Sequence, residues 1–146
     1  MNNAVWINEK DWLVDVVTMD AEEDEEDRAE NLDYIGKLAA FAFVTSTRMV
    51  AQVSSAHSRF QAYELWFSFA SEGSKKVFLD LVREDGYANP GEEGTLTPPS
   101  SLDDLPSLLP LSALFPKDVM DHILAVLFLT VEELRKQNMR AIEEAS

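Results

Sequence analysis

The chain has 146 residues, enough for one ordinary domain with a sizeable core, and at 46% hydrophobic and 27% charged its composition is globular. Acidic residues outnumber basic ones 27 to 12, and the formal charge of −15 argues against a general nucleic-acid binder or a protein that docks on anionic lipid, because both need a cationic footprint. There is no cysteine, which excludes disulfides, thiolate zinc sites, iron–sulfur clusters and cysteine nucleophiles, and leaves nothing pointing to an oxidising compartment.

The first twelve residues carry Glu9, Lys10 and Asp11 and lack the basic-then-apolar layout of a signal peptide. The longest apolar stretch runs from Ile123 to Leu129, or to Val131 across Thr130. That is far short of the ~20 residues of a membrane span. A soluble cytoplasmic protein of one domain, residues 1–146, is the expectation.

Trp12, Val14 and Val16 alternate as a strand would, while Asn8 could cap a short helix with Trp12, Leu13 and Val16 on one face. A short helix is expected, since an isolated strand has no obvious partner. An acidic segment follows at 20–30, with six consecutive acids from Glu22 to Asp27. The first 33 residues carry a net charge of −10, residues 34–76 carry +3 and residues 77–146 carry −8.

From about Glu30 the helical period is clear. Leu32, Ile35, Leu38, Ala39, Ala42, Phe43, Met49, Val50 and Val53 share one face at 100° per residue, opposite Asp33, Lys37, Arg48, Gln52 and Ser55. No proline interrupts it, so the pattern predicts a helix of about 25 residues. Phe41 and Val44 fall on the polar side, as either a second contact surface or a sandwiched helix would require.

Residues 58–83 admit two descriptions. Tyr63, Leu65, Phe67 and Phe69 alternate, and Ser71 to Ser74 could turn a hairpin into Val77, Leu79 and Leu81. The helical template fits better, because Gln61, Glu64 and Ser68 form a narrow polar stripe, as do Lys76, Asp80, Arg83 and Glu84. Two helices are expected, broken at Gly73, with Ser74 capping the second and Gly86 ending it. Residues 87–101 read as a proline- and glycine-rich loop, and Ser101 caps a short segment around 102–114. Pro116 occupies a favoured first helical position, and 117–144 reads as one long helix. It is apolar all round between Ile123 and Val131, as suits a fully surrounded central element or one that runs through a homo-oligomer interface. The predicted fold is therefore all-α: a compact four- to five-helix bundle with a long central C-terminal helix. The alternative is α+β with a hairpin at 58–83.

No glycine-rich phosphate loop, G-x-S-x-G elbow, H-E-x-x-H or calcium-loop spacing is present. His57 and His122 are the only histidines, so one chain cannot build a multi-histidine metal site. Glu22 with Glu25, Glu23 with Glu26, and Asp118 with Asp121 have the i, i+3 spacing that sets two carboxylates on one helix face. Helical magnesium-dependent nucleotide pyrophosphatases hold their metal with facing pairs of that kind. His122 lies four residues after Asp118, so a small metal site there is geometrically allowed. Helix-start electrostatics explain Asp118 and Asp121 more simply, and an unbroken acidic run contains every short spacing by chance. No catalytic residue, metal or cofactor is assigned, and no enzymatic activity is expected.

His57, beside Ser54, Ser55 and Ser58, reads as a packing histidine. Arg48, Arg59, Lys75 and Lys76 are interleaved with Phe60, Trp66 and Phe67, the residue types that hold single-stranded nucleic acid. The aromatics sit at core spacing and the total charge opposes such binding, so no direct nucleic-acid contact is expected.

Six adjacent acids repel one another and weaken the compact state, so their ordinary role is that of a solvated flank. Their functional role would be a phosphate-like surface that competes for a basic groove on a partner protein, with fast, salt-sensitive association. Glu22, Glu23, Asp24, Glu25, Glu26 and Asp27 are the candidate partner-binding residues. The expectation is a small acidic protein-binding protein, most simply an inhibitor or decoy that blocks a nucleic-acid-binding surface. Nuclease immunity proteins and phage anti-defence (anti-CRISPR-like) proteins work by the same physics, an analogy of type and not of family. A helical assembly subunit or secretion chaperone is the alternative, marked by exposed apolar surface at Phe41, Val44, Trp66 and 102–114.

Overall fold

The structure is a computed structural model and describes residues 2–7, 12–20, 24–56, 60–84 and 115–145. Among them are four strands, β1 (Asn2–Ile7), β2 (Trp12–Asp20), β3 (Arg48–Ala56) and β4 (Phe60–Ser68). Three helices accompany them: α1 (Glu25–Val44), α2 (Glu72–Glu84) and α3 (Lys117–Ala145). The fold is therefore α+β and not the expected all-α bundle.

The strands form one antiparallel sheet in the order β1-β2-β4-β3. β1 and β2 are one hairpin and β3 and β4 another. β2 and β3 run in the same direction with β4 between them, and α1 makes the crossover from one to the other. Pairing β2 with both β1 and β4 supplies what a lone strand lacked, which is why Trp12–Asp20 is extended and not helical. One register irregularity falls between Val53 and Ser55, where β3 carries a residue more than β4.

The two sheet faces separate by residue parity. Leu13, Val17, Ala51, Tyr63, Leu65 and Phe67 face the helices and join Leu32, Ile35, Leu38, Phe78, Val119 and Ile123 in the main core. Trp12, Val14 and Trp66 are buried on the opposite face, with Trp12 and Trp66 edge to face at 5.9 Å.

The expected 25-residue helix ends early. At Ser46 the chain turns into the left-handed region with φ 57°. The Thr47 N–H reaches back to Ala42 O at 2.8 Å and the Ser46 N–H to Phe43 O at 3.4 Å, the paired bonds of a Schellman cap. The Thr45 hydroxyl adds a bond to Phe41 O at 2.7 Å. Arg48 can then start β3.

The hairpin alternative is right about strand character at 60–68, but its partners are β3 and β2. Residues 72–84 are helical, as expected for the second of the two helices, but Gly73 and Ser74 lie inside α2 and do not break or cap it. The Ser71 hydroxyl accepts from the Ser74 N–H at 3.1 Å and so serves the helix start. α2 lays Phe78 against Phe67 and Phe69, and the Lys75 ammonium sits 4.1 Å over the Trp6 ring.

The long C-terminal helix is present, but it is not central. Successively later residues of α1 meet successively later residues of α3: Asp33 meets His122, and Gly36 meets Ile123 and Val126. The two helices therefore run parallel, with α3 on the outside. Ile123 is fully buried, while Phe128 and Leu129 are 66% and 71% exposed and Leu127 is only half-buried, so the apolar run is not surrounded. None of the described helices is long and apolar enough to cross a membrane. The expected loop at 87–101 and the short segment at 102–114 lie outside the described residues.

Candidate functional site

Parallel packing sets the first turns of α1 and α3 side by side at one end of the molecule. Asp24 is the N-cap of α1, its carboxylate accepting the Asp27 N–H at 2.8 Å. Glu25, Glu26 and Asp27 occupy the first turn, where the partial positive charge of the helix start favours acids. Asp118 stands in the first turn of α3 and Asp121 in the next. Asp24, Glu25, Glu26, Asp27, Glu30, Asp118 and Asp121 are all exposed, accompanied by the exposed bases Arg28 and Lys117. A groove of about 810 Å³ lies between the two helix starts, lined by Glu25, Arg28, Ala29, Leu32, Asp118, Val119 and His122.

Four of the six candidate binding residues, Asp24 to Asp27, are thus brought together with Asp118 and Asp121, which sequence spacing considered only as a separate pair. Glu22 and Glu23 lie outside the described residues. The acidic run is not a free flank throughout. Asp24 caps a helix, and the three acids after it suit the helix start, so folding uses part of what composition alone marked as surplus.

His122 does not join Asp118 and Asp121 in a ligand set. Its Nε2 lies 2.7 Å from Asp33 Oδ1, which ties α3 to α1. Among the described residues no group of three or more His, Cys, Asp or Glu side chains is placed to hold a metal ion. In the central segment Trp66 and Phe67 are buried and offer no ring face to a nucleobase. Phe41 and Trp66, expected to mark an assembly surface, are buried as well, whereas Val44 is exposed. His57 and Arg59 lie outside the described residues.

Two features escaped the sequence expectations. Asp15 sits on the helix-facing side of β2, between Ala4 of β1 and Leu65 of β4, and is almost fully buried. Its Oδ1 has no hydrogen-bond partner. Burial pushes its carboxyl up to about 7, against the opposing pull of a hydrogen bond from the Val16 backbone. Strand parity would have placed it beside Leu13 and Val17; a helical template hid that. The second is the continuation of exposed apolar side chains along α3 past the 123–131 run, to Met139 and Ile142.

Burial also raises the Tyr63 hydroxyl above its ordinary range, opposed by the charge of Arg28. Tyr63 packs on Phe115 with ring centroids 4.9 Å apart, which anchors the start of α3 to the sheet and fixes the acidic end against it. Compared with known protein families, curated proteins and solved structures, the chain matches none.

Proposed function

We propose that this chain is a small acidic protein-binding protein whose acidic end docks on a basic surface of a partner, acting as an inhibitor or decoy of a nucleic-acid-binding surface. The observation that supports it is the convergence of Asp24 to Asp27 with Asp118 and Asp121 at two adjacent helix starts. Asp24 supplies the cap of α1, and although the helix starts favour the other acids individually, their crowding adds like-charge repulsion that offsets that gain. A cationic groove would attract that end from a distance and be shielded from nucleic acid by it. No catalytic step belongs to this function. The absence of cysteine suits work in a reducing cytoplasm.

The test starts from a native pull-down with the whole chain, followed by competition between the recovered partner's nucleic acid and this protein. A variant with Glu22, Glu23, Glu25 and Glu26 all changed to Gln should associate more slowly and with a flatter salt dependence, while its helicity is unchanged. Tight binding in high salt that ignores the quadruple change would place the interface elsewhere.

A second function, as an assembly subunit or secretion chaperone, is favoured by a different observation. Phe43, Phe128, Leu129, Met139 and Ile142 are all more than half exposed, an apolar surface suited to burial against another chain. Recovery of virion or secretion components instead of a nucleic-acid-binding protein would decide for it.

A further inference from the structure

Helix α3 carries apolar side chains on two faces. Val119 and Ile123 point into the core. On the opposite face, at 100° per residue, Leu124, Phe128, Glu132, Arg135, Met139 and Ile142 fall within about 50° of one line along the helix. All six are exposed; Phe128, Met139 and Ile142 have more than 60% of their surface in solvent. Single exposed apolar residues are ordinary, but a stripe running nearly the whole length of a helix is not.

The order of residues on this face identifies its occupant. Turning the helix end for end about the midpoint between Glu133 and Leu134 exchanges Phe128 with Met139, Ala125 with Ile142, and Glu132 with Arg135. Phe128 and Met139 map onto each other, Ile142 onto Ala125 at the edge of the stripe, and an acid onto a base, while Leu124 at the end of the stripe maps onto Glu143. A face with that symmetry is complementary to itself across a two-fold axis.

We propose that two copies of this chain associate through antiparallel pairing of α3. Phe128 of each copy packs against Met139 of the other, a ring-to-thioether contact. Ile142 covers the other copy's Ala125. At the centre, Glu132 of each copy sits beside Arg135 of the other, with Lys136 one residue further along on the same flank. A parallel pairing would set Glu132 against Glu132 and Arg135 against Arg135, so charge selects the antiparallel arrangement. The core-facing side of α3 and the groove between the helix starts are untouched. The two acidic ends are carried to opposite ends of the pair, so a dimer would present that surface twice. The pairing does not depend on what the acidic end binds.

Sedimentation equilibrium over a concentration series should show the mass rising from 16.4 kDa towards twice that value. Phe128→Glu should hold the chain monomeric with an unchanged circular dichroism spectrum, because the position is exposed. Glu132→Arg alone and Arg135→Glu alone should each weaken self-association at least about tenfold. Mixed with one another, these two variants should pair, since the charges are then complementary in both contacts. The chain has no cysteine, so introduced thiols report direction. Phe128→Cys should cross-link to Met139→Cys on mild oxidation, and neither should cross-link to itself. A wild-type chain that stays monomeric into the hundreds of micromolar, a dimer indifferent to both charge reversals, or Phe128→Cys coupling to its own kind would each overturn the proposal.

Discussion

Gly36 of α1 and Val126 of α3 meet so closely that a Cβ on the glycine would lie 2.7 Å from the valine Cβ and 2.9 Å from the Ile123 carbonyl oxygen. Helix propensity alone favours alanine over glycine by about 1 kcal/mol. The clash reverses that preference, because a backbone oxygen and a branched Cβ cannot swing aside as a flexible side-chain tip can. Gly36→Ala should therefore destabilise the chain by a net ~1–3 kcal/mol, read as a lower urea midpoint with an unchanged slope. A more stable variant would show that the helices have room to move apart without loss.

Ser46 makes the converse case. Its φ of 57° is where an L side chain is strained and glycine is not. The two back-bonds of the cap come from backbone N–H groups and survive the change. Ser46→Gly should raise stability by ~0.5–1 kcal/mol, the relief of strain exceeding the extra freedom given to the unfolded chain. Thermal unfolding of the variant checks it, and a fall in midpoint would mean that the serine side chain holds something the glycine cannot.

Asp15 sets a pH dependence. Its folded-state pKa of about 7 lies above the 3.8 of an ordinary aspartate, so the folded chain keeps the proton that the unfolded chain releases. Stability from this group is full below about pH 4, falls as pH rises towards 7, and is level above that. A shift of that size corresponds to a loss on the order of 4 kcal/mol. Asp15→Asn cannot ionise, so unfolding free energies of wild type and variant should diverge from pH 4 to pH 7, with the variant favoured at the upper end. Parallel curves across that range would show that Asp15 is ionised within the fold at little cost.

How far the sequence discloses this molecule depends on which signals the chain leaves intact. α2 and α3 keep a polar stripe or a proline start, and both were legible at nearly their true bounds. β4 was not, because Tyr63, Leu65 and Phe67 face the helices while Trp66 is buried on the other side. With Trp66 apolar as well, the polar positions shrink to Gln61, Glu64 and Ser68, whose spacing imitates a helical stripe and outweighs the alternation of Tyr63, Leu65 and Phe67. The end of α1 was hidden for another reason: its cap uses Ser46 where a glycine would have announced the stop. The acidic end was half legible. Glu22 to Asp27 stand out in any composition scan, but their meeting with Asp118 and Asp121 depends on α1 and α3 running parallel, which no local pattern encodes. The apolar run of α3 suits either a surrounded element or an oligomer interface by sequence alone, because hydrophobicity cannot distinguish a face buried in its own domain from one exposed on it; the structure rules out only the first.

The acids at the start of α1 divide into one that holds the fold and others that the proposed function assigns to a partner. Asp24 accepts the Asp27 N–H and satisfies a backbone donor that the helix leaves open. Asp24→Ala should therefore cost ~1 kcal/mol of stability whatever the ionic strength, since the lost bond is local. Glu25 and Glu26 are exposed and act through the helix dipole, a contribution that salt screens and that repulsion between neighbouring carboxylates offsets. Changing both to Gln should move stability by no more than a few tenths of a kcal/mol, with even that difference vanishing in high salt. Association with a basic partner should respond in the opposite order: strongly to the Glu25 and Glu26 pair at low salt, and weakly to Asp24→Ala once the variant is folded. Paired denaturation and binding-rate measurements on the same variants separate the two roles. A double glutamine variant that loses stability as Asp24→Ala does, and binds as the wild type does, would assign the entire first turn to folding and remove it from the proposed interface.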